Sequence, residues 1–206
     1  MTKIDISHYV ERTRVLGPYE RSALWVHGCC FNCEGCIAKE MNLQESKEVN
    51  TAELIELFAG IRDAEGITIS GGEPFLQAES LLELVRGIKN IRDYGVIVYT
   101  GFEIEELLKS KEKFIHKFLE EIDVLIDGKY IEALDDGKAY RGSSNQRIIK
   151  LSDRYNIEFE NYYSSNEKRN IEINVTGNNV YMVGVPSSYG LETWRKFKRK
   201  AGCESD

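Results

Sequence analysis

Strand-like and helix-like apolar patterns alternate along this chain, and that alternation restricts its possible folds more than any other feature. Four short apolar runs have the length of buried strands: Ser22–Val26, Gly66–Ser70, Val96–Tyr99 and Asp123–Asp127. Between them, apolar residues recur at helical spacing, as in Leu54 to Ile61 and Leu81 to Ile88. Strands separated by helices of about 10–15 residues are typical of parallel sheets with crossover helices. The pattern therefore predicts an α/β fold.

The pattern changes after Gly128, where the chain becomes polar and then β-rich. Two apolar stretches, Ile171–Val175 and Val180–Val183, flank Gly177-Asn178-Asn179 and predict a late antiparallel hairpin. The basic stretch Arg195–Lys200 is interpreted as a solvated terminal helix. With 206 residues, 42% of them hydrophobic, the chain can build one domain with a core. We expect a single domain over residues 1–206, with a core at about 20–150 and an extension at about 151–206.

Charge and hydropathy argue against two classes of partner. The net charge is −7, which disfavours a polyanion such as nucleic acid as the main ligand. No apolar run approaches the roughly 18 residues needed to cross a bilayer, and the first residues lack the apolar region of a secretory signal. We therefore expect a cytoplasmic protein with no nucleic-acid or membrane partner.

Four of the five cysteines lie between positions 29 and 36, and this clustering indicates metal binding. A disulfide framework would spread its cysteines along the chain. Two triplets have ligand-like spacing, Cys29-x3-Cys33-x2-Cys36 and Cys30-x2-Cys33-x2-Cys36, and spacing alone does not choose between them. Thiolates suit zinc as well as iron–sulfur clusters. His27 or the fourth cysteine could complete a zinc site, whereas three cysteines would leave one iron of a four-iron cluster open.

Glycines and polar residues follow each of the next three predicted strands. Gly71-Gly72-Glu73 comes after the second strand, Thr100-Gly101 after the third and Asp127-Gly128-Lys129 after the fourth. The carboxyl ends of parallel strands meet at one edge of a sheet, and ligand sites gather there. Because the cysteine loop also follows a strand, these segments together predict one active site and therefore an enzyme.

Two of these segments together resemble the motifs of the radical SAM superfamily. They are Cys29-x3-Cys33-x2-Cys36 after one strand and Gly71-Gly72-Glu73-Pro74 after the next. The resemblance implies that Cys29, Cys33 and Cys36 hold one [4Fe-4S] cluster per chain, with S-adenosylmethionine (SAM) on the fourth iron. It thereby selects Cys29 over Cys30, to which we assign a packing role. It also implies that the fold is a single-domain partial (β/α) barrel of the radical SAM type.

The same resemblance implies a set of contacts to SAM and the cluster. The residues expected to make them are Gly35, Ile37, Gly71, Gly72, Glu73, Thr100, Asp127 and Lys129. The glycine-rich turn is expected to hold the methionine amino group, because glycines let a backbone approach a ligand closely. Asp127 and Lys129 match an Asp-x-Lys that contacts SAM in the glycyl-radical activating enzymes. Thr100 is included for its strand-end position, and Gly35 and Ile37 because they flank a cluster cysteine.

The octamer Tyr140–Arg147 is unusually polar and resembles a segment of the proteins that activate anaerobic ribonucleotide reductases. A capped turn that leads into a strand is one interpretation of it. In the other, Arg141 and Arg147 clamp a carboxylate or order a loop over SAM.

The likeness to glycyl-radical activating enzymes covers roughly residues 10–150 and implies a reaction. A reduced cluster would cleave SAM to a 5′-deoxyadenosyl radical, which abstracts hydrogen from a glycine of a partner glycyl-radical enzyme. The large subunit of an anaerobic ribonucleotide reductase is the partner expected first, with flavodoxin or ferredoxin as low-potential electron donor. No catalytic side chain is needed beyond the cluster and SAM. Two alternatives remain open: a radical SAM enzyme that modifies a peptide or small heterocycle, and a non-enzymatic zinc or electron-transfer module.

Overall fold

A computed structural model describes residues 2–43, 45–165, 167–176 and 179–200. The strands are β1 (Lys3–Thr13), β2 (Arg21–Val26), β3 (Lys47–Asn50), β4 (Gly66–Gly71), β5 (Gly95–Tyr99), β6 (Val124–Asp127), β7 (Arg147–Lys150), β8 (Ile171–Thr176) and β9 (Asn179–Gly184). The α-helices are α1 (Lys39–Leu43), α2 (Thr51–Gly60), α3 (Ala78–Lys89), α4 (Ile104–Lys109), α5 (Lys113–Leu119) and α6 (Ser188–Lys200). Short 3-10 helices lie at Pro74–Gln77 and Glu132–Leu134.

The main sheet has seven strands in the order β3-β1-β2-β4-β5-β6-β7. Its middle strands β2, β4, β5 and β6 are parallel, whereas β1 and β3 on one side and β7 on the other run antiparallel to their neighbours. Within the described residues the edge strands β3 and β7 do not pair, so the sheet is open. The predicted α/β fold is confirmed, and the four predicted apolar strands are the four parallel ones.

Helices α2, α3, α4 and α5 cover one face of the sheet and form the larger core with it. Strand β5 has apolar side chains on both faces, as a continuous apolar run predicts for a buried parallel strand. Strand β4 turns Ile67 and Ile69 toward the helices and the buried Thr68 toward the other face. Helix α3 buries the apolar stripe that its sequence predicts, including Leu81, Leu84, Val85 and Ile88. Helix α2 adds Leu54 and Phe58 to the same core.

The second face of the sheet is covered by residues that follow β7. Tyr155, Phe159 and Tyr162 are buried there against Ile97 of β5 and Ile126 of β6. These aromatic residues belong to the stretch that the sequence pattern assigns to an extension. Residues 151–165 therefore pack as part of the sheet's own core.

A buried arginine lies at the amino ends of the parallel strands and links them. Arg21, at the start of β2, is fully buried and donates hydrogen bonds to Thr68 Oγ1 and to the carbonyl oxygen of Pro18, both at 2.8 Å. Its guanidinium also contacts the Tyr155 hydroxyl and the Glu65 carboxylate. A buried charge is tolerated only when it is paired and hydrogen-bonded. These contacts fix one end of the sheet and leave the carboxyl ends of the strands for a ligand site.

The hairpin of β8 and β9 confirms the predicted antiparallel pair, although its turn residues 177 and 178 lie outside the described residues, as does Cys203. Glu172 joins the hairpin to β1, since its carboxylate accepts hydrogen bonds from Thr13 Oγ1 at 2.7 Å and from the Arg14 amide at 3.0 Å. The rings of Tyr181 and His8 stack with centroids 4.0 Å apart. The basic stretch near the C-terminus is helical, as predicted, and forms the end of α6. No helix in the described ranges has the length and apolarity to span a membrane.

Candidate active site

A cavity of about 850 Å³ lies at the carboxyl ends of the parallel strands. Each of the four segments that follow these strands contributes to its wall, through Cys29, Gly72, Thr100 and Lys129 among others. Parallel order explains this convergence, because it turns all four strand ends toward the same edge of the sheet. The cavity is therefore the candidate active site.

Cys29, Cys33 and Cys36 all line this cavity, whereas Cys30 is not among its lining residues. The loop that carries them is irregular, and Gly28 (φ 87°) and Gly35 (φ 72°) take left-handed backbone conformations. Such conformations favour glycine. The expectation that Cys30 packs is wrong, because its side chain is exposed. The triplet that begins at Cys29 is thus the one that faces the cavity.

The cysteine loop has the donor chemistry that an iron–sulfur cluster needs. Zinc would need four ligands within about 2.3 Å of one point, whereas an iron–sulfur cluster takes thiolates spread around a larger body. Partial burial raises the pKa of the Cys36 thiol. Its proton must leave when metal binds, since thiolate is the ligand form.

The glycine-rich turn after β4 is joined to the base of the cysteine loop by backbone contacts. The amide of Glu73 donates a hydrogen bond to the carbonyl oxygen of Gly28, and the amide of Gly72 donates one to that of Val26, both at 2.8 Å. Gly71 has a φ of 110°, and a Cβ at Gly72 would overlap the Gly28 carbonyl group. Both glycines are thus required by local geometry. The two motifs form one rigid joint beside the cavity.

The Glu73 side chain connects the ends of β4 and β5. Its carboxylate is buried and accepts hydrogen bonds from Thr100 Oγ1 (2.8 Å), the Gly101 amide (2.8 Å) and the Phe75 amide (3.0 Å). Burial raises the pKa of this carboxyl group to about 7, in spite of the three donors. Glu73 and Thr100, both predicted site residues, therefore act as a pair that fixes the wall of the cavity.

The raised pKa of Glu73 predicts a pH-dependent stability. The folded chain retains a proton between the ordinary pKa of 4.5 and about 7, where the unfolded chain has lost it. This contribution to the free energy of unfolding is complete below about pH 4.5 and disappears as the pH rises through about 7. The measurement is denaturant unfolding of the metal-free protein under anaerobic conditions. Between about pH 5 and 8, the free energy of unfolding of wild type should fall by up to about 3 kcal/mol relative to that of Glu73→Gln. Glu79→Gln, at an exposed position of α3, is the control, and its free energy of unfolding should change with pH as that of wild type does. The same change with pH in all three proteins would contradict the prediction.

Asn42 and Phe31 are among the residues of the cavity wall that were not predicted. Asn42, in α1, accepts a hydrogen bond from the Gly28 amide at 3.0 Å and donates one to the carbonyl oxygen of Ala38, also at 3.0 Å. Phe31 packs edge-on against Phe102, with ring centroids 4.8 Å apart. An aromatic residue inside a cysteine loop is a sequence signal that could have indicated Phe31. Nothing in the sequence pattern distinguishes Asn42 from other polar helix residues.

Lys129 lies on the cavity wall, while its predicted companion Asp127 does not. The Lys129 ammonium sits 4.8 Å from the centre of the Phe31 ring. The Asp127 carboxylate is buried, accepts hydrogen bonds from the Ile104 amide (2.8 Å) and Arg147 Nε (3.0 Å), and forms an ion pair with Arg147. The structure therefore brings Lys129 to the site and uses Asp127 to fix the end of β6.

The two arginines of the polar octamer order the chain around the site, and neither lines the cavity. Arg147 joins Asp127 to Glu105 at the start of α4, donating from Nη1 to Glu105 at 3.0 Å. Arg141 is buried and donates to the carbonyl oxygen of Ser144 at 3.2 Å. Of the two residues that flank Cys36, Ile37 lines the cavity and Gly35 does not.

The sequence profile of the 4Fe-4S single cluster domain matches residues 15–149, which include the cysteine loop and all four parallel strands. An anaerobic ribonucleoside-triphosphate reductase-activating protein of Vibrio cholerae is 35% identical over 147 residues, which are 67% of this chain and 92% of that protein. Its namesake from phage T4 is 30% identical over 145 residues, or 68% of this chain and 89% of its own. A pyruvate formate-lyase-activating enzyme of Clostridium pasteurianum is 28% identical over 130 residues, covering 59% of this chain and 50% of that enzyme.

These matches define the class of protein as one that carries a single 4Fe-4S cluster. The chain belongs to the 4Fe-4S single cluster domain family, together with the anaerobic ribonucleoside-triphosphate reductase-activating proteins. The resemblance drawn from the two motifs is confirmed, and with it the assignment of a [4Fe-4S] cluster and SAM as cofactors.

Proposed function

We propose that this chain is a radical SAM activating enzyme whose substrate is a glycine in a partner glycyl-radical enzyme. The observation that carries the proposal is the meeting of two motifs at one cavity, the triplet Cys29, Cys33 and Cys36 and the turn at 71–73. The names of the relatives give further support, since one activates a ribonucleoside-triphosphate reductase and another pyruvate formate-lyase. An anaerobic ribonucleotide reductase is the partner proposed first, because relatives named for it cover two thirds of this chain.

The fold is proposed to be the partial (β/α) barrel of the radical SAM type, in a single domain. The parallel order of β2, β4, β5 and β6 supports this, as does the placement of all predicted motifs at their carboxyl ends. The core at about residues 20–150 would hold the cofactors, and the chain beyond it would complete the structure around them.

Each wall of the cavity is proposed to have its own task. When bound, the cluster and SAM supply the one-electron cleavage that yields the 5′-deoxyadenosyl radical. Cys29, Cys33 and Cys36 would hold the cluster as thiolates, and the Gly71–Gly72 backbone would lie against the methionine end of SAM. Lys129 offers an ammonium group to a carboxylate.

The apolar side of the cavity is proposed to exclude water from the radical. Leu16, Trp25 and Phe31 line it with largely apolar surface. A dry site protects a reactive species from side reactions. The cysteine loop itself lies at the surface, with Cys29 exposed, which leaves it within reach of a protein electron donor such as flavodoxin or ferredoxin.

The test is the formation of a glycyl radical. Anaerobically reconstituted protein, mixed with SAM, a reductant and the large chain of the ribonucleoside-triphosphate reductase from the same genome, should give a glycyl-radical signal in electron paramagnetic resonance together with 5′-deoxyadenosine. A partner whose radical-bearing glycine is replaced by alanine is the control and should give no such signal.

Other outcomes of the same experiment point to the alternatives. If 5′-deoxyadenosine forms but no glycyl-radical enzyme of that genome gains a signal, the substrate is a peptide or small heterocycle. If no 5′-deoxyadenosine forms and metal analysis finds one zinc per chain, the site is a non-enzymatic module.

A further inference from the structure

Part of the cavity wall comes from a stretch of the chain that the family profile does not include. The profile ends at residue 149, whereas Val185, Pro186, Leu191 and Arg195 all line the cavity. They lie just after β9 and on α6, and we call these four residues the second wall. The matched domain thus supplies the residues proposed to hold the cluster and SAM, and the later chain supplies the second wall.

One buried arginine fixes this second wall to the rest of the protein. The Arg169 side chain is only 2% exposed and itself lines the cavity. It donates hydrogen bonds to the carbonyl oxygens of Pro186 (3.0 Å) and Gly142 (2.6 Å) and pairs with Asp135 at 2.8 Å. Its Nε also donates to the carbonyl oxygens of Lys138 and Arg141. Because a planar guanidinium has five donors in a fixed fork, it can hold two chain segments at once, which a lysine ammonium does less well.

The chemistry of the second wall indicates what it receives. Val185, Pro186 and Leu191 are apolar, and Arg195 adds a guanidinium that makes no ion pair with the described residues. At about 850 Å³ the cavity is near the upper end of the range of roughly 300–1,000 Å³ found for pockets that hold one ligand. An apolar wall with one guanidinium suits a neutral polypeptide segment, whose carbonyl oxygens accept hydrogen bonds.

We infer that Val185, Pro186, Leu191 and Arg195 form the subsite for the polypeptide substrate, and that Arg169 is the positioning residue that holds this wall in place. The inference rests on the proposed function and extends it, because it assigns substrate selection to a segment outside the matched domain. SAM binding is proposed to rest on other residues, the glycine-rich turn and Lys129. Loss of the Arg169 contacts is therefore expected to weaken binding of the partner protein and to leave SAM binding nearly unchanged.

The test compares KM with kcat for Arg169→Met in the full reconstituted chain. The KM for the partner reductase should rise about tenfold, while kcat at saturating partner and the KM for SAM stay within about twofold of wild type. Arg169→Lys retains the charge beside Asp135 and should recover part of the loss. Arg154→Met is the matched control, since Arg154 is a multiply paired arginine at the other end of the sheet, and its KM for the partner should match wild type.

A second variant and a second readout keep the inference testable if Arg169→Met folds poorly. Arg195→Gln leaves every contact of Arg169 intact and should raise the KM for the partner about threefold or more without changing stability. In the metal-free protein, amide hydrogen exchange at 184–187 and 139–142 should accelerate in Arg169→Met and not in Arg154→Met. An unchanged KM in both cavity variants, or an equal rise in Arg154→Met, would overturn the inference. Wild type that forms no radical on any partner would instead refute the proposed function on which it rests.

Discussion

Replacing Cys29 with alanine should abolish cluster binding, while the same change at the neighbouring Cys30 should leave it nearly intact. Cys29 lines the cavity together with Cys33 and Cys36, and Cys30 is exposed outside it. A cluster already held by only three thiolates has no spare protein ligand. The loss of SAM cleavage should therefore exceed the roughly 10–100-fold cost of removing a residue that only supports a metal ligand.

Iron and sulfide analysis after anaerobic reconstitution, with the visible absorption of the cluster, measures this directly. Cys30→Ala serves as the matched control, because it removes a thiol from the same loop at an exposed position, where substitutions change stability by about 0.5 kcal/mol or less. A cluster that survives in Cys29→Ala and is lost in Cys30→Ala would show that the ligand triplet begins at Cys30.

The sequence was sufficient to predict the parallel strands and the end of the sheet at which the site lies. Both follow from local rules. A continuous apolar run between helices indicates a buried parallel strand, and parallel strands place the residues after them at one edge. Four such runs matched β2, β4, β5 and β6. Thr100 was found by this rule alone, and Lys129 by the rule together with its match to the Asp-x-Lys of the glycyl-radical activating enzymes.

Side-chain partners far apart in sequence could not be predicted in the same way. Asp127 follows the rule for strand ends, yet its carboxylate is occupied by Arg147 and by the amide of Ile104. Periodicity and motif spacing report which face or edge a residue occupies, and they do not report which side chain will meet it there. The same limit explains why Arg169 was missed, since its partners lie on loops at 135–142 and 186.

The prediction of an extension beyond residue 150 has a related cause. Tyr155, Phe159 and Tyr162 recur at the i, i+4, i+7 spacing of a helical face, but the assignment of this stretch to an extension does not use that short signal. In the structure the three aromatic rings nevertheless pack under β5 and β6. Irregular chain can form core when a few large side chains carry most of the buried surface.

Adding one methyl group at Gly72 should disrupt the site almost as strongly as losing a ligand. A Cβ there would overlap the carbonyl group of Gly28 and come within 3.0 Å of Asn42 Oδ1. The Gly28 carbonyl group belongs to the backbone at the base of the cysteine loop, so it cannot move away unless the loop moves as well. The hydrogen bond from the Glu73 amide to Gly28 would break at the same time.

Gly72→Ala is therefore expected to displace Cys29 relative to the SAM-binding turn. A misplacement of about 1 Å in an active site can lower a rate about 100-fold, and we expect a loss of that order in 5′-deoxyadenosine formation. The matched control is Gly60→Ala at the exposed end of α2, where a Cβ meets no atom within 4 Å. Since alanine is favoured over glycine in helices by up to about 1 kcal/mol, that variant should be as stable as wild type or slightly more stable, with unchanged activity. Full activity in Gly72→Ala would mean that the contact between the two motifs does not set the position of the cluster, and the joint between the cysteine loop and the glycine-rich turn would lose its proposed role.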